Sequence, residues 1–191
     1  MKNSLLIVFL MLNAHSLIAA AKHSASKKDA LRQELNYGYA LLYNGVKGLV
    51  LADHYLLIKQ EQASFRTFMQ DMQSMASQII KDLDRLQKDF PALDYSSTGQ
   101  PTIILEKNAR VTKDRLLSLA PLVGKKGIEF EHTLLLSTAA ICNQMRHLSH
   151  VISKKEPNKS LKKVTADIEN TLNKQYDAIV LHLQKHYFVK E

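Results

Sequence analysis

In 191 residues the chain carries one Cys, no Trp and a formal charge of +8. One Cys excludes an internal disulfide, so an exported version of this chain must hold its fold by packing alone. Six Gly, four Pro and a 46% hydrophobic share argue against disorder and fit a globular protein, while the basic balance favours anionic partners or simply a soluble lysine-rich surface.

The N-terminus reads as a secretion signal. Lys2 supplies the positive start, Leu5 to Leu12 is an unbroken apolar run, and Ala19-Ala20-Ala21 offers the small-x-small cleavage pattern. The run is shorter than the roughly 20 apolar residues a membrane-spanning helix needs. Residues 1–21 are therefore expected to be removed, leaving a single helical-bundle domain over 22–191 with no transmembrane segment and a charge of +7, since Lys2 is the only charged residue lost. The expected location is the periplasm or the extracellular space.

The four prolines, Pro91, Pro101, Pro121 and Pro157, fall between segments of helical periodicity and divide the chain. The first predicted helix runs from about Ser26 to Gln60. Leu35, Leu42, Leu49 and Leu56 recur every seventh residue, with Gly38, Gly45 and Ala52 on a second row. A helical Gly costs about 1 kcal/mol against Ala, so two on one seam predict close approach of a neighbouring backbone. Asn44-Gly45 could turn, but the leucine row keeps its register and predicts one continuous helix.

A second helix carries Phe65, Phe68, Met72, Met75, Ile79, Leu83, Leu86 and Phe90 on one stripe. Met69, Met72 and Met75 could be read as thioether ligands; at helical spacing they are core filler. A shorter, ragged helical segment follows from about Thr102 to Leu119. The next long helix lies within Gly124 to Lys154, on Phe130, Leu134, Ile141, Met145, Leu148 and Ile152, and the last runs from about Lys159 to Phe188 on Leu161, Val164, Ile168, Leu172, Tyr176, Ile179 and Leu183. No stretch alternates as a strand does. The predicted fold is all-α, a four-helix up-and-down bundle of ferritin-like type with an extra short helix between the second and third long helices.

Chemistry is sparse on this framework. A di-metal site in a bundle takes two Glu-x-x-His motifs and two further Glu; the chain has one such spacing, Glu129 to His132. His182 and His186 lie four apart and His147 and His150 three apart, so a zinc site from His147, His182 and His186 would need the pairs to meet. These five residues, Glu129, His132, His147, His182 and His186, are the weak metal candidates. Cys142, beside Ile141, reads as a buried thiol rather than a nucleophile. Neither a phosphate-binding glycine loop nor a nucleophile elbow is present, and no cofactor or catalytic residue is predicted. Lys154, Lys155, Lys159, Lys162 and Lys163 crowd one turn and are the candidates for an anionic lipid or polymer surface. Without interleaved aromatics they do not suit nucleic acid.

Four stretches carry a likeness. They are Gly45 and Gly48; Phe68-Met69-Gln70-Asp71-Met72 with Leu83; Leu119 to Phe130 with Gly127, Phe130 and Glu131; and Thr171-Leu172. From roughly Tyr39 to Leu183 the chain resembles an exported bacterial ferritin-like helical-bundle family of unknown function, domain-of-unknown-function family 4142. The resemblance implies a bundle, with a Glu and several His that this chain replaces by Leu51, Ala76, Ile141 and a residue near Ala178. It therefore implies a divergent member that kept the bundle and lost the site. The expected function is non-catalytic binding in the periplasm or envelope. The alternatives are a His-based metal-binding protein and a basic adaptor for anionic surfaces. The Gly124 to Lys154 stretch is expected to be a packing wall with its polar residues at the ends and rim.

Overall fold

The computed structural model describes the backbone of residues 3–50, 63–96 and 128–187 and six positions between 103 and 113, with side chains from residue 27 onward. Four long helices build it: α1 (Asn3–Val50), α2 (Ala63–Asp89), α3 (Ile128–Lys155) and α4 (Lys159–His186). The six positions between 103 and 113 are helical as well, where the extra short segment is expected. Among the described residues there is no strand. The chain is an all-α helical bundle.

α1 passes through Asn44-Gly45 without a break, as its leucine row predicts. It also begins earlier than Ser26, running unbroken from Asn3; the expected end near Gln60, with Leu56 and Ala52, lies outside the described residues. Leu35, Leu42 and Leu49 are all in the core. The glycine row does what its spacing requires. A Cβ on Gly45 would sit 2.1 Å from Sδ of Met145, and one on Gly38 would sit 3.2 Å from Cγ1 of Ile152, so α1 lies against α3 where side chains are missing. The pairs Gly38 with Ile152 and Gly45 with Met145 make the two helices antiparallel.

The same logic places the others. Asn36 Nδ2 donates to the carbonyl of Ala92, and Tyr43 stacks on Tyr95 at 5.2 Å, so the end of α2 lies beside the first half of the packed part of α1. Arg146 Nη1 donates to Asn173 Oδ1 and His150 Nδ1 lies 3.0 Å from Glu169 Oε1, which sets α3 and α4 antiparallel. Phe68 stacks on His182 and closes the ring of helices between α2 and α4. Every packed pair is therefore antiparallel. α2 and α3 run the same way on a diagonal, so the chain between Asp89 and Ile128 joins opposite ends of the bundle; the all-α bundle is as expected, but its helix order is not the simple up-and-down one, because these consecutive long helices are parallel.

Burial follows the predicted stripes, shifted by one position in parts of α2 and α3. In α2, Met69 and Ala76 are more deeply buried than Phe68 and Met75, which pack at the edge of the core. In α3 the centre of the buried face is Cys142 rather than Ile141, and Thr138, Ser149 and Ser153 are buried with it. The expectation that α3 keeps its polar residues at ends and rim is corrected here. Thr138 can lie inside because its Oγ1 donates to Leu134 O at 2.7 Å, as Thr165 does to Leu161 O across the seam.

Candidate functional site

The turn between α3 and α4 is made by Glu156, Pro157 and Asn158. Pro157 ends α3, and Asn158 caps α4, its Oδ1 accepting from the backbone N–H of Ser160 and Leu161. Glu156 is turned inward, its side chain 0% exposed. Arg32 from α1 grips it with two hydrogen bonds, Nη2 to Oε1 at 2.9 Å and Nη1 to Oε2 at 3.2 Å. Tyr39 Oη donates to Oε2 at 3.2 Å and the Asn158 N–H to Oε1 at 3.0 Å. Burial, then the Glu156 charge, pushes the Tyr39 phenol far above its ordinary range, so it stays a donor.

This inward carboxylate decides what the corner shows to solvent. Lys154, Lys155, Lys159, Lys162 and Lys163 are all exposed. Lys155 pairs with Glu34 of α1. Among the described residues, Lys154, Lys159, Lys162 and Lys163 make no ion pair. Glu156 stands between Lys155 and Lys159 in sequence, yet it is spent inside the fold. The corner is a cationic surface on a rigid support.

At the opposite end the histidines gather in part. His182 and His186 are brought together, ring centroids 4.4 Å apart, and His182 stacks on Phe68 at 4.6 Å. Burial, with His186 as the next cause, lowers the His182 pKa from 6.5. His132 stacks on Tyr187 at 5.7 Å, and Tyr187 Oη donates to the buried Glu131 at 2.5 Å. The Tyr187 phenol is raised by burial and by that bond.

The structure does not assemble the three-histidine site. His147 is exposed on α3, level with the stretch of α4 near Asn173. Nine residues separate that level from His182, about 13 Å along a helix. Glu129 is exposed too, away from the buried Glu131 beside it. Among the described residues no group of three or more His, Cys, Asp or Glu side chains is arranged to hold a metal ion. His54 lies outside them.

Other candidates resolve similarly. Met69 and Met72 are core residues with 1% exposure, and Cys142 is buried, its thiol pushed up to about 12 by burial. Ala76, where the resembled family implies a His, is wholly buried; Ile141 and Ala178 are half-buried and Leu51 lies outside the described residues. A groove of about 280 Å³ between α2 and α4, walled by Met75, Ile79, Val164 and Ile168, falls just below the range of small-molecule pockets. No described helix is long and apolar enough to cross a membrane.

Sequence reasoning missed Arg32, Tyr39, Glu131, Glu156 and Tyr187. The only available signal was position: Glu156 directly precedes the proline that ends α3, and Tyr187 directly follows the end of α4. Their partners are more than fifty residues away in sequence. Comparison with known proteins gives no significant match, whether to a family model, a curated protein or a solved structure.

Proposed function

We propose that the protein is an exported, non-catalytic helical bundle that acts by binding, and that its contact surface is the lysine corner at the α3–α4 turn. The partner is an anionic polymer or lipid of the cell envelope. The observation that carries the reading is the inward turn of Glu156. It takes the carboxylate that stands among these lysines in the chain away from the surface and leaves Lys154, Lys159, Lys162 and Lys163 without ion pairs among the described residues. The polar groups of the interior support the non-catalytic half. Glu156, Glu131, Thr138 and Thr165 are engaged in holding helices, and the Cys142 thiol stays protonated at neutral pH. A long connection between parallel helices, as between α2 and α3, is of the kind ferritin-like bundles use, and it supports the resemblance to that type of fold.

Titration of the purified protein with poly(glycerol phosphate) tests the surface. The wild type should bind with an affinity that falls as salt rises, and the triple variant Lys159→Glu, Lys162→Glu, Lys163→Glu should lose most of it. Equal binding by wild type and triple variant sinks the assignment of the corner.

The contact of His182 with His186 favours a second reading, a metal-binding protein whose site is that pair. Incubation with zinc, copper and iron followed by elemental analysis separates the two. Stoichiometric metal that His182→Gln abolishes would establish the second reading and remove the purely binding one.

A further inference from the structure

We infer that a linear phosphate polymer bound at the lysine corner continues down the outer seam between α3 and α4, and that Arg146 holds it about 12 Å beyond Lys154. This rests on the reading of the corner as a binding surface, chooses polymer over lipid, and gives the contact a direction. The α3–α4 register defines the seam: His150 meets Glu169, Arg146 meets Asn173 and His132 meets Tyr187. Lys154, His150 and Arg146 recur every four residues, so they stand on one face of α3, about 6 Å apart along the axis. Lys162 lies on the same side of α4 as Glu169 and Asn173, seven and eleven residues before them. Corner and seam therefore form one line of basic side chains, entered at Lys162 and Lys154 and ending at Arg146.

Arg146 is a cation held in place without a counter-charge. Nε donates to Asn143 Oδ1 at 2.9 Å, Nη1 donates to Asn173 Oδ1 at 3.1 Å, and the guanidinium lies 4.5 Å from the centre of the Tyr176 ring. The half-buried group is thus fixed by neutral partners. Among the described residues, Nη2 has no hydrogen bond, no carboxylate lies within ion-pair distance of the guanidinium, and Nδ2 of Asn143 and of Asn173 has no acceptor. A fixed cation with spare donors takes an anionic oxygen at little cost in ordering. With Nε taken by Asn143, the edge formed by Nε and Nη2 is closed to a two-pronged grip, and Nη2 suits single oxygens spaced along a chain. Glu169 is the one carboxylate on this line among the described residues, and His150 Nδ1 engages it at 3.0 Å. Asp177, exposed one turn past Asn173, marks where the line ends. A flat lipid layer against the corner would leave Arg146 down the side of the bundle, whereas a flexible chain follows the seam.

The test measures binding of poly(glycerol phosphate) and of a glycerol phosphate dimer at several salt concentrations. Arg146→Gln and Lys154→Gln should each weaken polymer binding threefold or more and lower the slope of log affinity against log salt by about one, as the loss of one phosphate contact does. Glu169→Gln should bind the polymer more tightly. The dimer, which spans only the corner, should be unaffected by Arg146→Gln, and polymer binding should be unaffected by Lys185→Gln at the other end. Circular dichroism checks that Arg146→Gln is folded; if it is not, Glu169→Gln decides, tighter binding supporting the seam and unchanged binding overturning it. Unchanged affinity and slope in the seam variants, with binding lost in the corner variant Lys159→Glu, Lys162→Glu, Lys163→Glu, overturns the seam and leaves the corner. Vesicles with a third phosphatidylglycerol that bind as tightly as the polymer, and lose binding in Arg146→Gln to the same degree, overturn the choice of polymer. If the polymer does not bind at all, both readings fall.

Discussion

The two ends of the bundle are held by different chemistry. At the lysine end α1 is tied to the α3–α4 turn through a guanidinium, which is charged at every ordinary pH, in a two-pronged grip on a buried carboxylate. At the histidine end Tyr187 and Glu131 join α4 to α3, and His182 fills the space between Phe68 and His186. Imidazole charge changes between about pH 5 and pH 8. One end is thus fixed by a permanent charge and the other by groups whose charge depends on conditions. Fixing the lysine end has a functional correlate, since a surface that reads charge needs its cations held in place while its own carboxylate is kept out of the way.

The largest expected effect comes from breaking the fixed end. Arg32→Met leaves the Glu156 carboxylate, 0% exposed, with only Tyr39 and the Asn158 N–H. Breaking a fully buried pair costs about 3–5 kcal/mol. Arg32 is 26% exposed, which places the loss at the lower limit, about 3 kcal/mol. Urea unfolding followed by far-UV circular dichroism measures it. A loss below about 0.5 kcal/mol, the scale of an ordinary surface substitution, would mean that the grip contributes little and that the two ends do not differ in kind.

The matching change at the other end should be smaller. Tyr187→Phe removes one hydrogen bond to a charged acceptor, for which about 1.5 kcal/mol is expected, the low end of the range because Tyr187 is only partly buried, just past the end of α4. Glu131 also sits in the first turn of α3, where free backbone N–H groups and the helix dipole favour its charge. The same unfolding series ranks the variants. A Tyr187→Phe loss equal to that of Arg32→Met would erase the contrast.

Helices were legible because their signals are local. Leu35, Leu42 and Leu49 announce a seam by spacing, and Gly38 and Gly45 announce the close neighbour that proves to be α3. Spacing fixes a stripe only to within about one position on the wheel, which is why the predicted stripe runs through Ile141 while the buried face runs through Cys142. The lysine corner was visible as a cluster. Its real distinction, a carboxylate hidden beneath it, was not visible, because Glu156 meets Arg32 across 124 residues and nothing in either neighbourhood names the other. The histidines illustrate the same boundary. His182 and His186 meet because one helix turn brings them together, whereas joining His147 to them would have needed an α3–α4 register that periodicity does not contain.

The smallest effect is a slope, and its sign is fixed by the groups around His182. Its folded-state pKa is lowered from 6.5 by burial first and by His186 next, with Lys185 adding to the decrease and Glu131 opposing it. In the unfolded chain the ring takes up a proton near 6.5, while the folded ring resists it. The stability His182 contributes is therefore complete above about pH 6.5 and is lost as the pH falls from there toward the lower folded-state value. Three variants sharpen this by direction alone. His182→Gln should flatten the fall in unfolding free energy over that interval. His186→Gln removes the neighbour that is the second cause of the lowering and should flatten it partly. Glu131→Gln removes the one opposing charge and should steepen it. Unfolding curves collected at closely spaced pH values between about 7.5 and 5 read all three slopes. A steeper slope in His182→Gln, or a flatter one in Glu131→Gln, would show that the condition-dependent end is governed by groups other than this imidazole.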